Sequence, residues 1–182
     1  MRANGLQLVG ERVVENLHIG VDRGCAIHGP NLDRTGGGGE TVPMASESRH
    51  IAVDIDRPAG EVYDFASDHT NLPAWASGIG DSIELVDGEW VVESPMGRLT
   101  IGFVPQNALG VLDHTVTLAG GETFYNPMRV IQHGTGSEVV FTLRRADDQT
   151  DGQFEHDAAT ILADLHTLKA LLEGGSGEGP DA

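Results

Sequence analysis

The sequence predicts an α+β domain in which an antiparallel sheet is covered on its apolar face by one long C-terminal helix. Two observations carry this. Between residues 80 and 145, six short runs of strand character follow one another, separated by glycine- or asparagine-containing turns, the chemistry that joins antiparallel neighbours. From 151 to 173 the apolar period lengthens, and Phe154, Ala158, Ile161, Leu165, Leu168 and Leu172 form one helical stripe. A sheet with one apolar face needs cover, and only this helix is long enough to supply it.

The elements follow in order. RHIAVDID, residues 49–56, alternates Ile51, Val53 and Ile55 with polar or small partners, as a half-buried strand does. Pro58 suits a first helical turn and Glu61 follows it, which predicts a helix over 58–67 burying Val62, Phe65 and Ala66. Asn71 as cap and Pro73 in a first turn predict a second short helix. Then come the strands DSIELV, EWVVES, RLTIGFV, GVLDHTVTL, ETFYNPMRVIQH and SEVVFTLRR. Their turns are DG at 87–88, PMG at 95–97, PQNALG, AGG and GTG.

A chain of 182 residues with 39% hydrophobic content suits one domain with an ordinary core. No apolar run approaches the ~18 residues of a membrane span, and the N-terminus lacks the unbroken apolar segment of a secretory signal. These features predict a cytoplasmic protein with no membrane insertion. The single cysteine, Cys25, excludes an internal disulfide framework and a cysteine-based zinc cluster. A net charge of −17 would repel phosphate backbones, so nucleic acid is not expected as a partner.

Residues 1–46 differ from the rest. They lack a sustained period and run through TGGGGETVP just before Met44. They read either as a disordered extension or as a mis-assigned start, with translation beginning at Met44. The domain is expected over 47–173, and 174–182 as a flexible tail.

Register identifies which side chains share a face. A three-residue loop at 120–122 places Ala119 opposite Thr123, and counting back pairs Val116 with Asn126, His114 with Met128 and Leu112 with Val130. On the other face Asp113 meets Arg129, a structural pairing of opposite charges. A two-residue turn at Thr135 and Gly136 then pairs Val130 with Phe141, Met128 with Leu143 and Asn126 with Arg145. The inward face is thus expected to carry His114, Asn126 and Arg145 among Phe124, Met128, Phe141 and Leu143, with Trp75 closing the mouth. An apolar pocket with a few convergent polar groups is the usual form of a small-molecule site.

Each polar member has a plainer reading beside this one. His114 could be a satisfied core histidine, a hydrogen-bonding group for a ligand or an acid–base group. Asn126 precedes Pro127 and could simply set a bulge. Arg145 stands near a strand end and could be solvated.

Other chemistry fails on spacing. The eight histidines form neither the helical H-E-x-x-H pair nor a cysteine-histidine cluster, so no metal is expected. GTGSEV opens no helix and GGGG at 36–39 follows no strand, so neither makes a phosphate cradle and no cofactor is expected. FEHD at 154–157 reads as a solvated face whose acids suit the helix dipole.

The element order, together with RPAGEVYDFASDHTNLPAWASG, GVLDHTVTL, NPMRV and DLHTLKALLE, resembles the SRPBCC superfamily. That group includes START-like lipid-binding domains, birch-pollen-allergen-like proteins and polyketide cyclases or dehydrases. The resemblance spans roughly residues 47–173 and is greatest to a bacterial subgroup without an assigned activity. It implies a helix-grip fold, in which a curved seven-stranded antiparallel sheet wraps the long helix around an apolar cavity. It implies binding of a small hydrophobic molecule, lipid or polyketide-like. The alternatives are a cyclase- or dehydratase-type enzyme using the same cavity, and a protein-interaction module. It assigns no catalytic residue, and neither ligand identity nor oligomeric state follows from it.

Overall fold

The computed structural model describes residues 47–94 and 97–174. The expectations for residues 1–46 and most of the 174–182 tail, and those for Pro95 and Met96 in the PMG turn, lie outside the described residues.

Alternation along the first strand, β1 (Ser48–Ile55), buries Ile51, Val53 and Ile55. Helix α1 (Ala59–Ser67) follows and buries Val62, Tyr63 and Ala66, with Pro58 at its N-cap. The second short helix takes a different form from the expected one. It is a 3-10 helix over His69–Ala74, and a further 3-10 turn covers Ser77–Ile79. Its cap is Asp68, whose carboxylate accepts from the Thr70 amide at 3.1 Å and the Thr70 hydroxyl at 2.6 Å. Asn71 instead donates to the Phe65 carbonyl at 3.0 Å. Pro73 lies within this segment, where the lack of an N–H favours a short, tight turn over a continuing α-helix.

The sheet strands are β2 (Glu84–Val86), β3 (Glu89–Ser94), β4 (Gly97–Phe103), β5 (His114–Thr117), β6 (Thr123–Asn126), β7 (Met128–His133) and β8 (Gly136–Arg144). They form two antiparallel ladders, β2-β3-β4-β5-β6 and β1-β8-β7. Pro127 makes the division, because it has no N–H to offer a ladder. Its carbonyl accepts from Thr142 at 2.9 Å. The two ladders nevertheless meet there, since Leu112 donates to Met128 at 2.9 Å and Val130 to Gly110 at 2.8 Å. Counted as one strand bent at Pro127, β6 and β7 bring the total to the seven of a helix grip.

Both hairpin registers differ from the sequence reading by two residues. The loop after β5 has the expected three residues but occupies 119–121, so Thr117 faces Thr123 and His114 faces Asn126. The β7–β8 turn is Gly134–Thr135, which sets Met128 opposite Phe141 and Val130 opposite Val139. Gly134 has φ +60°, and a type II′ hairpin needs glycine at that first central position. Because side chains alternate with period two, a shift of two leaves every residue within these paired strands on its expected face, while Arg145 lies one residue past the end of β8.

The long helix α2 (Asp151–Gly174) packs against β1 and β8 and buries Phe154, Ala158, Leu165, Leu168 and Leu172. Each large side chain of that stripe contributes about 1.5–3 kcal/mol by leaving water. Thr150 and Gln153 start the helix with reciprocal bonds, Thr150 N–H to Gln153 Oε1 at 2.9 Å and Gln153 N–H to Thr150 Oγ1 at 3.3 Å, a capping box. Arg49 and Arg145 lie over the Phe154 ring, 4.8 and 5.6 Å from its centroid. At the far end Arg57 donates to the Leu172 carbonyl at 2.9 Å. The helix is therefore fixed at both ends across the concave face.

Candidate functional site

Between the sheet and α2 lies a cavity of about 110 Å³. Leu99, Val116, Met128 and Phe141 form its sheet wall, Ile161 and Leu165 its helix wall, and Leu72, Trp75, Ala76 and Ile79 of the 3-10 segment its cover. A second cavity of about 160 Å³ adjoins it beneath α1, lined by Tyr63, His69 and Phe103. Leu72, Trp75, His114 and Met128 line both, so these four side chains are the partition between them.

Of the residues singled out in the sequence, His114, Asn126, Met128, Phe141 and Trp75 meet at the first cavity. Phe124 and Leu143 are buried but do not line it. Arg145 is not brought there. Its guanidinium donates to the Gln149 carbonyl at 3.0 Å and pairs with Glu47 and Asp151, so it joins the end of β8 to the start of α2. The two-residue shift in register removes the predicted pairing of Arg145 with Asn126.

His114 is held on the cavity face. Its Nδ1 lies 3.1 Å from the Leu112 carbonyl, which can only accept, so Nδ1 carries the proton and Nε2 presents a lone pair. The ring sits between Phe103 and Phe141, with centroids at 5.9 and 6.3 Å. Burial pushes its pKa below the usual histidine range, with a smaller contribution from His69, while the Leu112 contact opposes the shift. Burial likewise lowers the pKa of His69, which stacks on Phe103 at 3.6 Å.

The sign of the resulting pH dependence follows. A histidine with a lowered folded-state pKa binds fewer protons folded than unfolded between the two values, so stability falls as pH drops below about 6.5, the unfolded value. The loss continues until the lowered folded pKa is passed. Urea midpoints measured from pH 7.5 to 5 should therefore decline, and His114→Leu should flatten that decline.

Asp113, adjacent in sequence, works on the opposite face. Its carboxylate accepts from the Met128 amide at 2.9 Å, from the Tyr125 hydroxyl and from Arg129. The expected partnership with Arg129 is present, although Val111 is the residue directly across from Arg129. Tyr125 and Arg129 cover the carboxylate, leaving Asp113 5% exposed. It staples β5 to β6 and β7 around the Pro127 break.

The helix wall holds groups that the sequence reading missed. Asp157, Thr160 and Asp164 also line the cavity. Asp157 is buried, with Gln149 Nε2 at 2.6 Å from its carboxylate, which corrects the reading of FEHD as a solvated face. Only Glu155 and His156 of that run face water. The signal was present, since Asp157 stands three residues after Phe154 on the same helix face. Asp164 accepts from the Ser77 amide at 3.1 Å. Burial raises its pKa above the usual carboxylate value, and hydrogen bonds from Ser77 oppose the rise.

No protein-family model and no curated protein matches the chain. Solved structures do. The Aha1 dimer from Colwellia psychrerythraea aligns with a TM-score of 0.56 at 14% identity, over 72% of this chain and 99% of that one. Ara h 8.0201 aligns with a TM-score of 0.52 at 13% identity, over 70% of this chain and 98% of that one. The chain shares their fold, a curved antiparallel sheet over a long C-terminal helix: the helix grip. DynU16, from the dynemicin biosynthetic locus, shares this fold with a TM-score of 0.55 at 14% identity, over 70% of this chain but 48% of that one. At such identities the helix grip is what these proteins have in common. Among the described residues, no helix is long and apolar enough to cross a membrane.

Proposed function

We propose that the protein binds a small hydrophobic molecule in the cavity between the sheet and α2. The observation that carries this reading is the cavity itself, walled by Leu99, Val116, Met128, Phe141, Ile161 and Leu165, with only a few polar groups among them. Apolar surface around a space this size lacks packing partners on one side, and an occupant supplies them. The lipid or polyketide-like class follows from the resemblance, and the helix-grip fold supports it at that level.

A second reading is an enzyme of the cyclase or dehydratase type. His114 favours it, since a neutral imidazole with Nδ1 fixed and Nε2 presented to a cavity is arranged to accept a proton from a bound molecule.

The binding reading is tested with Met128→Trp, which fills the space from the sheet side. A small aromatic probe such as ethylbenzene should raise the melting temperature of the wild-type protein and leave that of the variant unchanged. Equal stabilisation of both proteins would refute binding in this cavity.

A further inference from the structure

Two donors on residues that line the cavity have no acceptor among the described residues. The indole Nε1–H of Trp75 and the side-chain amide nitrogen of Asn126 are buried without a hydrogen-bond partner, the residues being 8% and 2% exposed. Both line the same cavity. A buried N–H without an acceptor is costly, and a bound oxygen placed against it removes that cost.

The surrounding groups narrow what that oxygen can belong to. Asn126 stands directly across from His114 in the β5–β6 ladder, so the amide is a neighbour of the imidazole. With Nδ1 committed to Leu112, the imidazole adds a lone pair and no positive charge. Facing them on α2 are the carboxyl groups of Asp157 and Asp164. Among the described residues, no lysine or arginine lines either cavity. An anion would lose its hydration and gain no counter-charge. The volumes, about 110 and 160 Å³, suit a compact ring better than a long acyl chain.

We infer that the cavity selects a neutral, compact apolar molecule bearing a carbonyl oxygen, such as an aryl ketone or a quinone. That oxygen accepts from Trp75 Nε1–H and Asn126 Nδ2–H, and carboxylate-bearing lipids are excluded. The inference rests on the cavity being a ligand site and adds to it the chemistry of the ligand.

Three probes of matched bulk separate the possibilities in an NMR titration of the full chain: acetophenone, ethylbenzene and phenylacetate. Acetophenone should bind about tenfold more tightly than ethylbenzene, and phenylacetate more weakly than either. Trp75→Phe and Asn126→Leu should each weaken acetophenone about three- to tenfold relative to ethylbenzene, the span of one hydrogen bond. The ¹H–¹⁵N spectrum of each variant without probe checks folding independently. Ethylbenzene binding as tightly as acetophenone, phenylacetate binding best, or variants that leave acetophenone unaffected would overturn the inference while leaving the cavity a ligand site. Failure of all three probes to bind would overturn both.

Discussion

Gly110→Ala should lower the melting temperature by about 10 °C. Gly110 has φ +70°, and a Cβ built there stands 2.1 Å from the Val130 carbonyl oxygen and 3.2 Å from its carbon. Neither atom belongs to a flexible side chain, so the two strands must separate to admit the methyl group. That would break the bond from Val130 N–H to the Gly110 carbonyl, 2.8 Å long, where the two ladders meet beside Pro127. Strain and the lost bond together cost about 3 kcal/mol, and a domain of this size loses about 3–4 °C per kcal/mol. Gly88→Ala is the control. Its φ of +88° carries similar backbone strain, but no described residue comes within 4 Å of the added Cβ, so about 1 kcal/mol is expected. Thermal melts followed by circular dichroism compare the two variants directly.

Leu165→Ala should cost about 3 kcal/mol while enlarging the cavity. Leu165 is 1% exposed and forms part of the helix wall, so truncation forfeits both its transfer free energy and its packing contacts. The space it leaves is apolar and continuous with the existing cavity. Ethylbenzene should therefore stabilise the variant more than it stabilises the wild type. On the outer face of the same helix, Leu162 is 38% exposed, and its replacement by Ala should cost about 0.5 kcal/mol. Urea titrations with and without ethylbenzene give both quantities.

The elements that could be read from the sequence are those where one periodicity runs unopposed. Of the predicted stripe, Phe154, Ala158, Leu165, Leu168 and Leu172 are buried and Ile161 partly so, because burial on one face is the main demand on that helix. The face shared by His114, Asn126, Met128 and Phe141 survived two errors of register. The loops were placed late by one position each, which moves pairings by two and keeps sidedness intact.

What could not be read depends on contacts between distant segments. Nothing local distinguishes Asp68 from Asn71 as the cap of the 3-10 segment, since Asn71 is drawn to the Phe65 carbonyl by the fold of α1. Arg145 left the expected face because Glu47, the Gln149 carbonyl and Asp151 converge on it at the end of β8. Asp157 and Asp164 became cavity groups only once α2 lay across the sheet with that side turned inward. Charge in the sequence suggested water, and tertiary packing decided otherwise.

The central claim is that the space between sheet and helix receives a small apolar molecule. The most direct measurement is the map of chemical-shift changes in the ¹H–¹⁵N and methyl spectra as ethylbenzene is added to the full chain. The Trp75 indole N–H, the Asn126 side-chain amide and the methyl groups of Val116, Met128 and Leu165 should shift together and saturate. Shifts confined to exposed residues such as Leu109 and Ile131, which lie 81% and 47% open to solvent, with the cavity resonances unmoved, would contradict it.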